Sequence, residues 1–162
     1  MMQPPPSDAA IALLKDFEQG PDGGFAPVIY RCPAGYKTIG WGHRVQPSER
    51  FQQPISAVEA DRLLQADVLR VGGQVGAAVK VPLTQSMMDA LVCFAFNVGL
   101  GAFFGSTLRG LLNIGQYEAV ANEFLKWDKV KNPKTGQKER LTGLTRRRQA
   151  ERELFLRDGF PS

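Results

Sequence analysis

The sequence has little of what metal centres, disulfide scaffolds and membrane spans require. Its 162 residues include two cysteines, Cys32 and Cys93, and one histidine, His43. Two cysteines do not make a disulfide framework, and a single histidine argues against a histidine-rich zinc site. No apolar run approaches the roughly 20 residues that span a bilayer. We therefore expect no metal, no cofactor and no membrane anchor.

The start of the chain also lacks the features of a secretory signal. Residues 1–6, MMQPPP, have no charged start followed by an apolar core. We expect them to form a flexible lead-in. The protein should then begin in the cytoplasm and need help to reach a target outside it.

The composition is that of a packed and mildly basic domain. Hydrophobic residues make up 43% of the chain, and the formal net charge is +4. A core is therefore available. A basic surface prefers anionic partners, and nucleic acid, a cell wall and a membrane surface all qualify. Net charge alone does not choose among them.

The pattern along the chain predicts one α+β domain over residues 1–162. Apolar spacing predicts a first helix within 7–18, followed by a Gly- and Pro-rich small β lobe over 19–55 with strands near 28–31 and 36–39. The rest, 56–162, reads as a larger helical lobe that includes the first helix. Its predicted helices lie near 57–72, 85–97, 106–113, 116–127 and 141–157, with a polar loop at 128–140.

Glu18 is a candidate acid at the end of the first helix. The negative end of a helix dipole and the apolar neighbours Phe17 and Leu14 both disfavour a second negative charge there. Both effects favour the protonated form that a general acid needs. A solvated glutamate at a helix end is the ordinary alternative, and these arguments leave it open.

The run at 38–43, TIGWGH, alternates glycine with β-branched and aromatic residues. Such a run lets backbone and rings approach a ligand closely. It is also compatible with an ordinary glycine turn that closes a hairpin, so its pattern alone does not establish a site.

The order of several motifs resembles the phage lysozymes, glycoside hydrolase family 24. That family has Glu at the end of its first helix, then Tyr-x-Asp, then Thr-Ile-Gly-x-Gly-His. Here Glu18 is followed by YRC at 30–32 and TIGWGH at 38–43. Further similar segments are FAFNVG at 94–99, STL at 106–108, Trp127, and GLTRRRQAERELF at 143–155. Four motifs in the right order make the resemblance specific.

The resemblance implies a lysozyme-like fold with an active-site cleft between the two lobes. It implies that Glu18 is the catalytic acid and that Thr38 helps to hold the attacking water. Tyr30, Asn97 and Thr107 are implied to bind substrate.

Cys32 stands where most family members have a second carboxylate, an Asp. One interpretation is that a thiolate replaces it as base or nucleophile, with Arg31 and Lys37 helping the thiol to ionise. The other is that Asp22, in the longer loop after Glu18, supplies the carboxylate. We favour Cys32 because it keeps its family spacing to Thr38. Cys93 is expected to be a small core residue.

The resemblance also implies structural residues. His43 should pair with Asp67 and join the β lobe to the long helix. Arg147 matches a family arginine near the catalytic Glu, whereas Arg146 and Arg148 are more simply explained as a solvated basic face.

The predicted function is therefore that of a muramidase acting on peptidoglycan glycan strands. We expect a monomer held in the host cytoplasm until a holin-type pore releases it to the wall. The alternatives are a lytic transglycosylase that cuts the same bond with Glu18 alone, and a non-catalytic basic module that binds wall or nucleic acid. We expect no nucleic acid partner, because no aromatic platform is evident near the arginines.

Overall fold

The computed structural model describes residues 2–162, and it has the α+β class predicted from the sequence. The chain forms two compact units. One is Asp8–Arg70, and the other combines the residues up to Ser7 with Val71–Ser162. The first helix therefore groups with the sheet, whereas the sequence pattern had grouped it with the helices.

The unit Asp8–Arg70 holds helix α1 (Asp8–Phe17) and a three-stranded antiparallel sheet. The strands are β1 (Ala26–Arg31), β2 (Lys37–Gly40) and β3 (His43–Arg44), in the order β1-β2-β3. The two-residue strand β3 was not predicted. A small core of Ile39, Ile55, Ala60 and Leu63 lies in this unit, with the rings of Phe25, Trp41 and Phe51 against it.

Helix α2 (Ala57–Ala78) is longer than the sequence predicted, and the boundary between the two units falls within it. The backbone N–H of Glu59 donates to Ser56 Oγ at 3.1 Å, as expected for a cap at its start. The sequence prediction ended this helix near residue 72. A Cβ on Gly72 would collide with the Pro6 ring, so glycine at this position permits close packing of Pro6 against the helix.

The other unit is built around helix α3 (Gln85–Val98), in which every residue from Ser86 to Ala95 is buried. The Thr84 hydroxyl caps α3 by accepting from the N–H of Met87 at 3.2 Å. The remaining elements are α4 (Leu100–Phe104), α5 (Thr107–Asn113), α6 (Tyr117–Phe124), β4 (Lys129–Lys131), β5 (Lys138–Arg140) and α7 (Thr142–Leu156). Helix α3 packs on α7.

Two elements of this unit differ from the sequence prediction. The segment 128–140, predicted as a loop, contains the antiparallel hairpin β4–β5, and the short helix α4 was not predicted. The chain start is also tied to this unit, because the Gln3 amide donates to Val81 O at 2.7 Å. None of the helices in the described part of the chain is long and apolar enough to cross a membrane.

Candidate active site

Glu18 lies immediately after α1 and is half-buried. Its backbone N–H donates to Leu14 O at 2.7 Å, which carries the helical path one residue beyond Phe17. The turn between β2 and β3 passes directly against its side chain. A Cβ built on Gly42 would lie 2.6 Å from Glu18 Oε2 and 3.1 Å from Glu18 Cβ. Gly42 also has a φ of +73°, so both its conformation and its surroundings require glycine.

The register of β1 and β2 places two predicted site residues on one face of the sheet, next to a third. Tyr30 lies opposite Thr38, and Arg31 lies opposite Lys37. Side chains directly opposite share a face, and side chains two residues apart along an extended strand do so too. Tyr30 and Thr38 therefore share one face, to which Cys32 is adjacent at the strand end. Arg31 and Lys37 belong to the other face.

The turn at 32–36 surrounds the sulfur of Cys32 with hydrogen-bond donors. Burial alone would raise the pKa of the Cys32 thiol. Hydrogen bonds from the N–H of Tyr36, the Thr38 hydroxyl, and the N–H groups of Ala34 and Gly35 outweigh burial and lower that pKa from its ordinary 9.0. The result is a partly exposed thiol whose anionic form is stabilised mainly by backbone.

The source of this stabilisation differs from the sequence prediction. Arg31 and Lys37 were expected to help the thiol ionise, yet neither is among the causes of the lowered pKa. Arg31 instead donates from Nη1 to Gly35 O at 2.9 Å and so braces the turn from outside.

Thr38 is a buried polar residue, 4% exposed, with two acceptors in reach. Its hydroxyl donates to Tyr36 O at 2.9 Å and is also within hydrogen-bonding range of the Cys32 sulfur. A hydroxyl has one hydrogen, so it can serve only one of these acceptors at a time. Its oxygen lone pairs remain available to a third group, such as a water.

Tyr30 links Glu18 and Cys32 electrostatically. Burial raises the pKa of its phenol, and the negative charges of Glu18 and Cys32 raise it further. The structure therefore places Tyr30 within electrostatic range of both Glu18 and Cys32. Asp22, the alternative carboxylate, lies exposed in the turn that precedes β1.

His43 lies between two carboxylates. Its Nδ1 is 2.8 Å from Asp67 Oδ2, which is the predicted pairing, and its Nε2 is 2.9 Å from Glu49 Oε1. Burial would lower the pKa of His43, but the hydrogen bonds and charges of Asp67 and Glu49 raise it overall. Glu49 was missed at the sequence level. Its only signal was its position six residues after the histidine, in a loop without periodicity.

The other predicted site residues lie in the unit that contains Val71–Ser162. Asn97 is exposed and accepts a hydrogen bond from Arg148, whereas Thr107 is exposed at the start of α5. Arg147 is buried, and it donates to Cys93 O at 2.9 Å and to Glu151 Oε2 at 3.1 Å. Cys93 is itself buried in α3.

The prediction that Arg148 belongs to a solvated basic face is wrong. Arg148 is 1% exposed and donates to Glu151, to Asn97, and to Trp127 O at 2.9 Å. Its guanidinium also lies 5.1 Å from the centre of the Phe94 ring. A cation can be buried in this way because each of its three nitrogens donates to an acceptor, one of which is a carboxylate. Arg146 is exposed, as expected.

Known proteins resemble this chain over most of its length. Residues 21–151 match the family model described as "Phage lysozyme". An endolysin of Acyrthosiphon pisum secondary endosymbiont phage 1 is 37% identical over 92% of this chain and 96% of its own length. The endolysin of Bacillus phage B103 is 44% identical over 93% of this chain, which spans 53% of that longer protein.

A solved structure agrees with these sequence matches. The muramidase domain of SpmX from Asticaccaulis excentricus superposes with a TM-score of 0.80 at 36% identity, over 93% of this chain and 96% of that one. The lysozyme-like α+β fold predicted from the sequence is thereby confirmed.

Proposed function

The chain belongs to the phage lysozyme family, and we propose that it is a muramidase whose reacting groups are Glu18, Cys32 and Thr38. It hydrolyses bacterial peptidoglycan, at the β-1,4 bond between N-acetylmuramic acid and N-acetylglucosamine. The observation that carries the residue assignment is the hydrogen-bonded turn around Cys32. That Cys32 stands at the position of the family's second carboxylate is implied by the sequence resemblance and is part of this proposal.

Glu18 supplies the proton for the leaving group. As the C1–O bond breaks, the oxygen of the departing sugar gains negative charge, and a protonated carboxyl beside it donates the proton. The support for this role is its position at the end of α1, with Gly42 packed against the carboxylate and Tyr30 within electrostatic range.

Cys32 acts on the water as a thiolate. The sulfur removes a proton from a water whose oxygen forms the new bond to C1, and Thr38 holds that water through its free lone pairs. The step ends with a neutral thiol, and because the water attacks opposite the leaving group, the configuration inverts. Direct attack of sulfur on C1 would instead form a thioglycosyl intermediate and retain configuration.

Product analysis of purified peptidoglycan in heavy-oxygen water tests the reaction. We expect one heavy oxygen at the new reducing end and the inverted anomer at early times. The retained anomer would move Cys32 from base to nucleophile. A product lighter by one water, with no heavy oxygen, would mean elimination and would contradict the muramidase assignment.

Substitutions test the residues. Glu18→Gln should lower the lysis rate at least about 100-fold while the protein stays folded by circular dichroism, because the amide cannot donate the proton. Cys32→Ser should fail similarly, and Cys32→Asp should retain activity. Since the pKa of Cys32 lies below 9.0, activity should rise with pH in the range below that value, and Cys32→Asp should lack this rise.

Two matched variants serve as controls. Cys93→Ala removes the other thiol, and a thiol-alkylating reagent should still inactivate that protein. Asp22→Asn removes the alternative carboxylate and should leave lysis intact. Normal lysis by Cys32→Ser together with failure of Asp22→Asn would move the role to the loop carboxylate.

We further propose that the protein is a monomer that stays in the host cytoplasm until a holin-type pore made by another protein releases it to the wall. Sedimentation of the purified protein tests the first point. Lysis timing in cells with and without a coexpressed pore tests the second, since lysis without any pore would contradict it.

A further inference from the structure

The hairpin β4–β5 exposes every one of its strand residues. It is nevertheless an ordered element. The N–H of Asn132 donates to Gln137 O at 2.8 Å across the end of the strands, and the N–H of Leu141 donates to Asp128 O at 2.9 Å at their base. Since none of these side chains is buried, packing in a core does not explain their identity.

One face of this hairpin carries only cations. The register pairs Lys129 with Arg140 and Lys131 with Lys138. Opposed residues share a face, as do residues two apart in a strand, so all four cations lie on the same side. We call these four residues, Lys129, Lys131, Lys138 and Arg140, the cationic face.

Only one cation of the cationic face has an ion-pair partner among residues 2–162. Arg140 pairs with Asp128 at 3.0 Å, but the three lysines form no ion pair with any carboxylate among residues 2–162. Like charges placed directly opposite destabilise a strand pair. The one carboxylate of the strands, Glu139, is paired with Val130 on the other face and accepts from the Asn132 amide at 2.9 Å. The four cations of the hairpin strands therefore lie on one face, and the only carboxylate of these strands lies on the opposite face.

The charge of the cationic face complements an anionic lipid surface. Its cations are about 7 Å apart along each strand, and the two strands are about 4.8 Å apart, so four positive charges are concentrated on one small exposed face. Clusters of four or more Lys and Arg are attracted by the negative surface potential of anionic lipids, at about 1 kcal/mol for each cation. We propose that the cationic face is a docking surface for the anionic phospholipids of a bilayer, separate from the muramidase site.

The opposite face determines the kind of binding. Val130 is 42% exposed but points away from the cations, so no apolar side chain would enter the hydrocarbon from the cationic face. Association should therefore be peripheral and electrostatic, and salt should reverse it.

Vesicle binding of the purified full chain tests this proposal. We expect sedimentation with vesicles of phosphatidylcholine and phosphatidylglycerol at 3:1 in low salt, little with phosphatidylcholine alone, and release in 0.5 M salt. Replacing both members of the pair Lys131 and Lys138 by Gln should weaken binding about 30-fold, which corresponds to about 1 kcal/mol for each lysine. Val130→Ser should leave binding unchanged.

A second double variant separates the cationic face from net charge. Lys80→Gln with Arg146→Gln also lowers the formal charge from +4 to +2, and both residues are exposed in the same compact unit. It should bind vesicles within about threefold of the parent. An equal loss in the two double variants, or equal binding to neutral vesicles, would overturn the proposal.

Two further measurements complete the test. If the Lys131 and Lys138 variant lost affinity for soluble peptidoglycan strands or for single-stranded DNA but not for anionic vesicles, the ligand would be a polymer and the proposal would fall. Hydrolysis of purified peptidoglycan without vesicles should be the same in all these variants. Failure of vesicle binding is therefore distinguishable from failure of the muramidase assignment.

Discussion

Replacing Gly42 by Ala should impair catalysis far more than it impairs folding. The added Cβ would lie 2.6 Å from Glu18 Oε2, and 3.1 Å from both Cβ and Cδ of Glu18. Carbon atoms in contact are normally at least 3.5 Å apart. The carboxylate end can rotate away, but Glu18 Cβ is fixed to the chain, so the whole side chain must shift by several tenths of an ångström.

The two costs have different sizes. Alanine at a φ of +73° costs about 1–2 kcal/mol in stability, which a folded domain of this size tolerates. Displacement of a catalytic group by about 1 Å can lower the rate about 100-fold. We therefore expect a lysis rate lowered by one to two orders of magnitude in a protein that is folded at 25 °C.

Gly115→Ala is the matched control. Gly115 has a φ of +78°, and a Cβ built there would have no atom within 4 Å. This variant should lose a similar amount of stability, because alanine again adopts a positive φ, and it should keep its activity. The assays are urea unfolding for stability and turbidity loss of permeabilised bacteria for activity. If the two variants lyse cells at rates within about threefold of each other, the placement of Glu18 against Gly42 is irrelevant to catalysis and the reasoning fails.

Two other substitutions test the charge clusters of the fold. Asp67→Asn should lower the free energy of unfolding by about 1.5–3 kcal/mol at pH 5.5, the range for a hydrogen bond to a charged group. The pKa of His43 is raised, so its contribution is complete below 6.5 and fades as pH rises through the folded value. The pKa of Glu49 is lowered, so its contribution holds above 4.5 and fades as pH falls. An equal effect of Asp67→Asn at pH 5.5 and pH 9 would contradict this linkage. Glu151→Gln should cost about 3–5 kcal/mol because it leaves two buried guanidiniums short of a carboxylate; thermal unfolding that shows less than 1 kcal/mol would contradict it.

The elements that were predicted well from the sequence have a clear apolar periodicity or a recognisable helix-capping residue. Helices α1, α3 and α7 begin and end within about two residues of their predicted bounds, because apolar spacing and the Thr84 cap are local signals. Strands β1 and β2 were also found, from β-prone residues between glycines and prolines.

The elements that were missed have no such signal. Strand β3 is two residues long, and β4–β5 has no apolar alternation because it buries nothing. Helix α2 continues past Gly72, where the absence of a side chain admits the Pro6 ring. This is a tertiary contact, which a local sequence pattern does not reveal.

Charged residues were the least predictable part of the site. Arg148 and Arg146 are two apart in one helix, yet one is buried and the other exposed. A row of arginines in sequence is typical of a solvated face. Arg148 can be buried because its guanidinium donates to Glu151 on the same helix, to Asn97 and to the Trp127 carbonyl. The second carboxylate on His43 was missed for the same reason, since Glu49 reaches the ring from a loop.

The thiolate of Cys32 is stabilised by contacts that sequence does not show directly. Side-chain cations were the obvious candidates to stabilise a thiolate, but Arg31 and Lys37 belong to the wrong face of the strand pair. Three of the four donors to the sulfur are backbone N–H groups, and these follow from the path of the turn at 32–36. Such a turn supplies donors to any anion at its first position, so it would serve a carboxylate as well as a thiolate. The informative sequence feature was therefore the turn chemistry of Pro33 and of Gly35, which has a φ of +88°, and not the charges beside it.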